Sequence, residues 1–110
     1  MTHNDLGITS KTFLLLMKTF NSYPEIEEVI LFGSRAKGNY MKGSDIDIVI
    51  KGEKVSSTLI LQLNAILNER LPIPYFIDVL AYSQITNPAL LDHINRVGKV
   101  IYQKKEALIV

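Results

Sequence analysis

The sequence predicts an α/β (α+β) fold, a mixed sheet of about four strands packed with helices. Three observations predict it. Leu, Ile, Phe and Met recur at helical spacing in separate segments, short β-branched runs fall between those segments, and caps, glycines and prolines mark most of the boundaries. The 110 residues carry no repeat, low-complexity stretch or Pro/Gly-rich linker, so they suit one domain over residues 1–110 with a modest core.

Thr9 or Ser10 caps a first helix in which Phe13, Leu16, Met17 and Phe20 form the inward stripe, and Asn21-Ser22-Tyr23-Pro24 ends it. A first strand runs from about Glu27 to Phe32. Gly33-Ser34 turns the chain into a short helical piece, Asn39 to Ser44 connects, and Asp45 to Lys51 makes the second strand. Ser56 or Ser57 caps a second long helix with Leu59, Leu63, Ile66 and Leu67 on one face, stopped by Pro72 and Pro74. Pro74 then opens a third strand. Asn87-Pro88 starts the last helix with Leu91, Ile94 and Val97 inward, Gly98 terminates it, and Val100 to Tyr102 adds an edge strand.

The chemistry concentrates in the second strand. Side chains alternate along a strand, so Asp45 and Asp47 share one face while Ile46, Ile48 and Ile50 share the other. Two carboxylates held together repel unless a cation lies between them, and oxygen ligands of this kind suit Mg²⁺ beside substrate phosphates. As the polar side of a half-exposed strand the same pair would need no metal. The turn upstream adds a second signal. Gly33-Ser34 follows the apolar run Val29-Ile30-Leu31-Phe32, where a glycine allows close approach of a phosphate and exposed N–H groups form an anion nest. The Ser34 hydroxyl would add a hydrogen bond, with Arg35 and Lys37 supplying positive charge as exposed residues nearby.

The spacing is Gly33-Ser34, ten residues (RAKGNYMKGS), then Asp45-Ile46-Asp47. This pattern resembles the small nucleotidyltransferases of the DNA polymerase β superfamily, in particular the minimal, MNT-type members of HEPN/MNT toxin–antitoxin pairs. The family's extended GSRARG form appears as Gly33-Ser34-Arg35-Ala36-Lys37-Gly38. Lys37 stands where arginine is usual, which keeps the charge and loses the bidentate fork. The family also has a third acid on a later strand, and Asp78 within Tyr75-Phe76-Ile77-Asp78-Val79-Leu80 takes that place. An acid amid such an apolar run needs a partner or a metal if it is buried, because burying it alone costs several kcal/mol; at an exposed strand edge it would need neither.

The resemblance implies a polymerase β-type fold and a nucleotidyltransferase that uses ATP as substrate and two Mg²⁺ ions. Asp45, Asp47 and Asp78 would be the metal-binding and catalytic acids, and Asp78 would also take the proton from the attacking hydroxyl. Gly33 and Ser34 would hold the triphosphate, with Arg35 and Lys37 as nucleotide-binding helpers. It further implies a HEPN-type toxin as partner, with adenylylation (AMPylation) of its tyrosines making this chain the antitoxin. Two other readings remain at this point: a non-catalytic nucleotide-binding module that neutralises or scaffolds a partner by contact, and nucleotidyl transfer to a small molecule. The absence of an obvious acceptor-binding subdomain in these residues argues against the second.

Composition narrows the classes further. A formal charge of +1 gives no basic surface for strong nucleic-acid binding. The absence of cysteine removes disulfides, zinc–thiolate sites and thiol catalysis. The longest early apolar run, Phe13 to Met17, is broken by Lys18 and is too short for a membrane span or signal peptide, which reads as a cytoplasmic protein with no membrane partner. His3 is expected in a mobile N-terminal segment and His93 in a solvated or capping position beside Asp92. Tyr40 is a weak candidate for stacking on a nucleobase. Lys104-Lys105-Glu106 reads as a solvated tail, and Ala107 to Val110 as an apolar ending that docks on the domain or a partner.

Overall fold

Each predicted segment forms the expected type of element in a computed structural model that describes residues 3–104. In chain order these are α1 (Ser10–Asn21), β1 (Glu28–Phe32), α2 (Gly33–Lys37), β2 (Ile46–Lys51), α3 (Ser57–Ala65), β3 (Ile77–Ala81), α4 (Pro88–Val97) and β4 (Lys99–Gln103). The tail from Lys105 through Val110, with its expected docking, lies outside the described residues.

The helix starts are set by side-chain caps. Thr9 accepts from the Thr12 N–H, Ser56 from the Leu59 N–H, and Asn87 from the Ala89 and Leu90 N–H groups, with Pro88 at the first position of α4. Each cap satisfies a donor that has no partner inside its helix. The strands assemble in the order β3-β2-β1-β4, with β1 antiparallel to β2 and β4 and β2 parallel to β3. The parallel pair needs a crossover, which α3 supplies.

Alternation along the strands divides the core between two faces. Val29, Leu31, Ile46, Ile48, Ile50, Ile77 and Val79 pack with Leu16 and Phe20 of α1, with Leu59 and Leu63 of α3, and with Leu67 just after it. On the opposite face Ile30, Phe32 and Val49 pack with Ile94 of α4. Burying each large aliphatic side chain contributes about 1.5–3 kcal/mol, so both layers hold the sheet. The acids share the second face, which α4 covers only in part.

Several boundaries differ from expectation for physical reasons. β2 begins at Ile46, which leaves Asp45 at the end of the loop, and β3 begins at Ile77 rather than near Pro74. Upstream of Ile77, the Phe76 carbonyl still receives the Ile46 N–H while the Phe76 side chain stands exposed. The end of α3 widens into a π turn, Ile66–Arg70. The segment expected to be mobile contains a 3-10 turn at His3–Leu6, and Leu6 and Ile8 join the core.

Candidate active site

The predicted acids lie at one end of the sheet. Phe32 at the end of β1 is in register with Asp47 of β2, and Asp47 is in register with Asp78 of β3. Register partners on neighbouring strands project to the same side, so Asp47 and Asp78 stand next to each other, with Asp45 two residues before Asp47. Asp47 is half-buried and the other two are exposed. Burial pushes the Asp47 carboxyl above its ordinary range, and the neighbouring charges of Asp78 and then Asp45 push it further, against a smaller opposing pull from Arg35. Three negative charges are thus collected where one of them is partly desolvated.

The Gly33-Ser34 turn closes over this cluster. Gly33 has φ +74°, and a Cβ there would collide with Oδ2 of Asp47. Glycine is required twice over at this position, by backbone conformation and by the carboxylate lying against it. The Gly33 N–H donates to Nε2 of His93 at 3.1 Å, and the His93 ring meets Phe32 edge-on with centroids 6.2 Å apart. Of the solvated and capping positions expected for His93, the structure has the capping one, half-buried: α4 aims it at the first N–H of α2. Its spacing held the signal, since His93 falls between Leu90 and Ile94 on the stripe of α4 that packs on the sheet. Ser34 follows half-buried, and Lys37 is exposed in the last turn of α2.

Arg35 differs most from expectation. Instead of an exposed helper it is buried at 2% exposure. Its guanidinium donates to the carbonyls of Leu6, Gly7, Ser44 and Asp45 at 2.6–3.3 Å. The rings of Tyr40 and Tyr75 lie 5.0 and 4.8 Å from it. A planar fork with five donors suits this convergence of carbonyls, and the two aromatic faces hold the charge where water is excluded. Arg35 is a strut that ties the N-terminal segment to the loop bearing Asp45. Tyr40, the candidate for base stacking, has its ring committed to Arg35.

A further residue was not legible in the sequence. Asn68, in the π turn, accepts from the Ile77 N–H at 2.7 Å and donates to the Ile77 carbonyl at 2.8 Å. Its amide stands in for a neighbouring strand at the free edge of β3, one residue before Asp78. The π turn explains why α3 does not end regularly: a local widening aims the amide at the backbone of Ile77.

These features have a known setting. A family model described as polymerase beta nucleotidyltransferase matches residues 15–107. The chain belongs to the polymerase beta nucleotidyltransferase family. No curated protein sequence matches it. Among solved structures, a toxin–antitoxin with AMP-PNP is 19% identical with a TM-score of 0.65, covering 88% of this chain and 76% of that one. A tri-AMPylated Shewanella oneidensis HEPN toxin in complex with MNT antitoxin is 17% identical with a TM-score of 0.59, covering 94% and 74%. A putative nucleotidyltransferase from Sulfolobus solfataricus is 22% identical with a TM-score of 0.52, covering 92% and 83%. At these identities the likeness establishes a shared fold, the polymerase β-type mixed sheet with helices.

For a nucleotidyltransferase of this family the donor chemistry suits a hard divalent cation, because Asp45, Asp47 and Asp78 offer only carboxylate oxygens and a cation would relieve the repulsion that raises Asp47. Among the described residues, no three His, Cys, Asp or Glu side chains are gathered closely enough to hold a metal ion as they stand. A cavity of about 600 Å³ lies at the opposite end of the sheet, among Glu28, Glu53 and Gln103, away from this chemistry. No helix among the described residues is long and apolar enough to cross a membrane.

Proposed function

We propose that this nucleotidyltransferase transfers AMP from ATP to a tyrosine hydroxyl of a HEPN-type toxin partner and acts as its antitoxin. The observation that carries the reading is the placement of Asp47 between Asp78 and the Gly33-Ser34 turn. Likeness of fold to the AMPylated toxin–antitoxin complex supports the choice of acceptor.

In this reading the Ser34 hydroxyl and the backbone of the turn after Gly33, whose own N–H is taken by His93, hold the β- and γ-phosphates, which presents the α-phosphorus to an incoming oxygen. Two Mg²⁺ ions would be held by Asp45, Asp47 and Asp78 and would supply charge neutralisation on the triphosphate and activation of the hydroxyl. Asp78 is exposed and stands at the rim, where it takes the proton as the tyrosine oxygen bonds to the α-phosphorus. The bond from that phosphorus to the bridging oxygen breaks, and pyrophosphate leaves. Lys37, exposed beside the turn, adds a positive charge; Arg35 acts by fixing the loop that carries Asp45.

One observation favours a contact-only antitoxin: the three carboxylates are not gathered for a metal as they stand. Incubation of the chain with Mg²⁺, ATP and a purified HEPN-type partner, followed by mass spectrometry of the partner, separates the two readings. AMP on a partner tyrosine supports transfer. An unmodified partner that is nonetheless bound and inhibited contradicts it.

A further inference from the structure

His93 is 60 residues from Gly33 in sequence and joined to it by a hydrogen bond, yet the acid chemistry makes no use of it. The bond runs from a backbone donor to Nε2, which requires the neutral ring with its proton on Nδ1. Gly33 is the first residue of α2, so its N–H has no partner within that helix, and no side chain of Phe32 caps the turn. His93 supplies the missing acceptor from α4.

Position makes this contact more than a filled valence. The peptide joining Phe32 to Gly33 sits where β1 ends and the phosphate turn begins, and a glycine at φ +74° leaves that peptide freer to rotate than any other residue would. The imidazole holds its N–H end, and the edge contact with Phe32 at an interplanar angle of 80° sets the ring itself. With the peptide held, the orientation of Ser34 and the approach of Gly33 to Asp47 are fixed before a nucleotide arrives.

We propose that His93 is a positioning residue which, through its hydrogen bond to Gly33, pre-organises the Gly33-Ser34 turn for a nucleoside triphosphate. The proposal deepens the functional reading above and rests on it. Its energetic effect falls mainly on binding, because a loosened turn must be ordered by the ligand, while no carboxylate that acts on the α-phosphorus is removed.

The test is titration of the full chain with Mg-ATP for wild type, His93→Phe, His93→Leu and His93→Gln, with steady-state turnover on the same proteins. Phe keeps a ring against Phe32 and removes the acceptor, Leu removes both, and the Gln carbonyl restores an acceptor at similar reach. The expected result is about a tenfold rise in Kd and KM for ATP in His93→Phe and His93→Leu, with kcat within about threefold of wild type and recovery in His93→Gln. The Gly33 amide resonance should move in the Phe variant and return toward its wild-type position in the Gln variant. Equal nucleotide affinity in wild type and His93→Phe overturns the proposal and leaves the functional reading standing. So does equal impairment of all three variants, since the acceptor would then be irrelevant. Failure of wild type itself to bind Mg-ATP overturns the functional reading, and the role of His93 falls with it.

Discussion

Asp47 of β2 lies directly beside Asp78 of β3 in the parallel register of the sheet, with Gly33 closing on Asp47 from the other side. Asp47 works against folding here, since it is partly desolvated and the neighbouring Asp78 further raises the energy of its charged form. Sites that hold such strain are where ligand chemistry concentrates.

Replacing Asp47 by Asn should therefore have opposite effects on activity and on stability. Nucleotidyl transfer should be lost, while the ligand-free protein gains thermal stability. Water screens the half-exposed carboxylate, so the gain is small, a rise in Tm of about 1–3 °C. Differential scanning calorimetry of both proteins without divalent cations checks it, and a lower Tm for Asp47→Asn would contradict the electrostatic account.

The same shift fixes a pH dependence. The Asp47 carboxyl is raised above its ordinary value of 3.8, so between that value and the folded one the native state binds more protons than the unfolded state. Stability then falls as pH rises through this window. The penalty is absent below the ordinary value and complete above the raised one. The difference in Tm between Asp47→Asn and wild type should widen from acid to neutral pH, as parallel thermal melts across that range would show.

Much of this was legible in the sequence because local signals and global fold agree. The caps at Thr9, Ser56 and Asn87, the alternation of Ile46, Asp47, Ile48, Val49 and Ile50, and the ten-residue gap to Asp45 each have local causes. What the sequence hid are contacts made over long separations. Arg35 reads as an exposed cation after a turn until Leu6, Gly7, Ser44 and Asp45 are seen to turn four carbonyls onto it. His93 and Asn68 act on backbone atoms of Gly33 and Ile77; the helical stripe places His93 toward the sheet, but no side-chain pattern names a backbone partner for either residue.

Gly33→Ala should damage both fold and function. The left-handed backbone and the collision with Asp47 together cost about 2 kcal/mol, a Tm drop on the order of 10 °C. Turnover should fall with it, because relief of the clash moves Asp47. Unchanged Tm and turnover in this variant would place the turn elsewhere.

Arg35→Lys keeps the charge and loses the fork, leaving buried carbonyls without donors. A loss of about 2–3 kcal/mol in urea-unfolding stability is expected. A phosphate-binding Arg35 would behave differently, raising KM for ATP at unchanged stability, so the two measurements on one variant separate strut from ligand.

The most direct test of the proposal compares ATP labelled at the α-phosphate with ATP labelled at the γ-phosphate, each incubated with Mg²⁺, the chain and the proposed HEPN-type partner, beside the Asp47→Asn and Asp78→Asn variants. The account predicts α-label in the partner, no γ-label there, and loss of the signal in both variants. γ-Label in the partner, or α-label that persists without either acid, would contradict it.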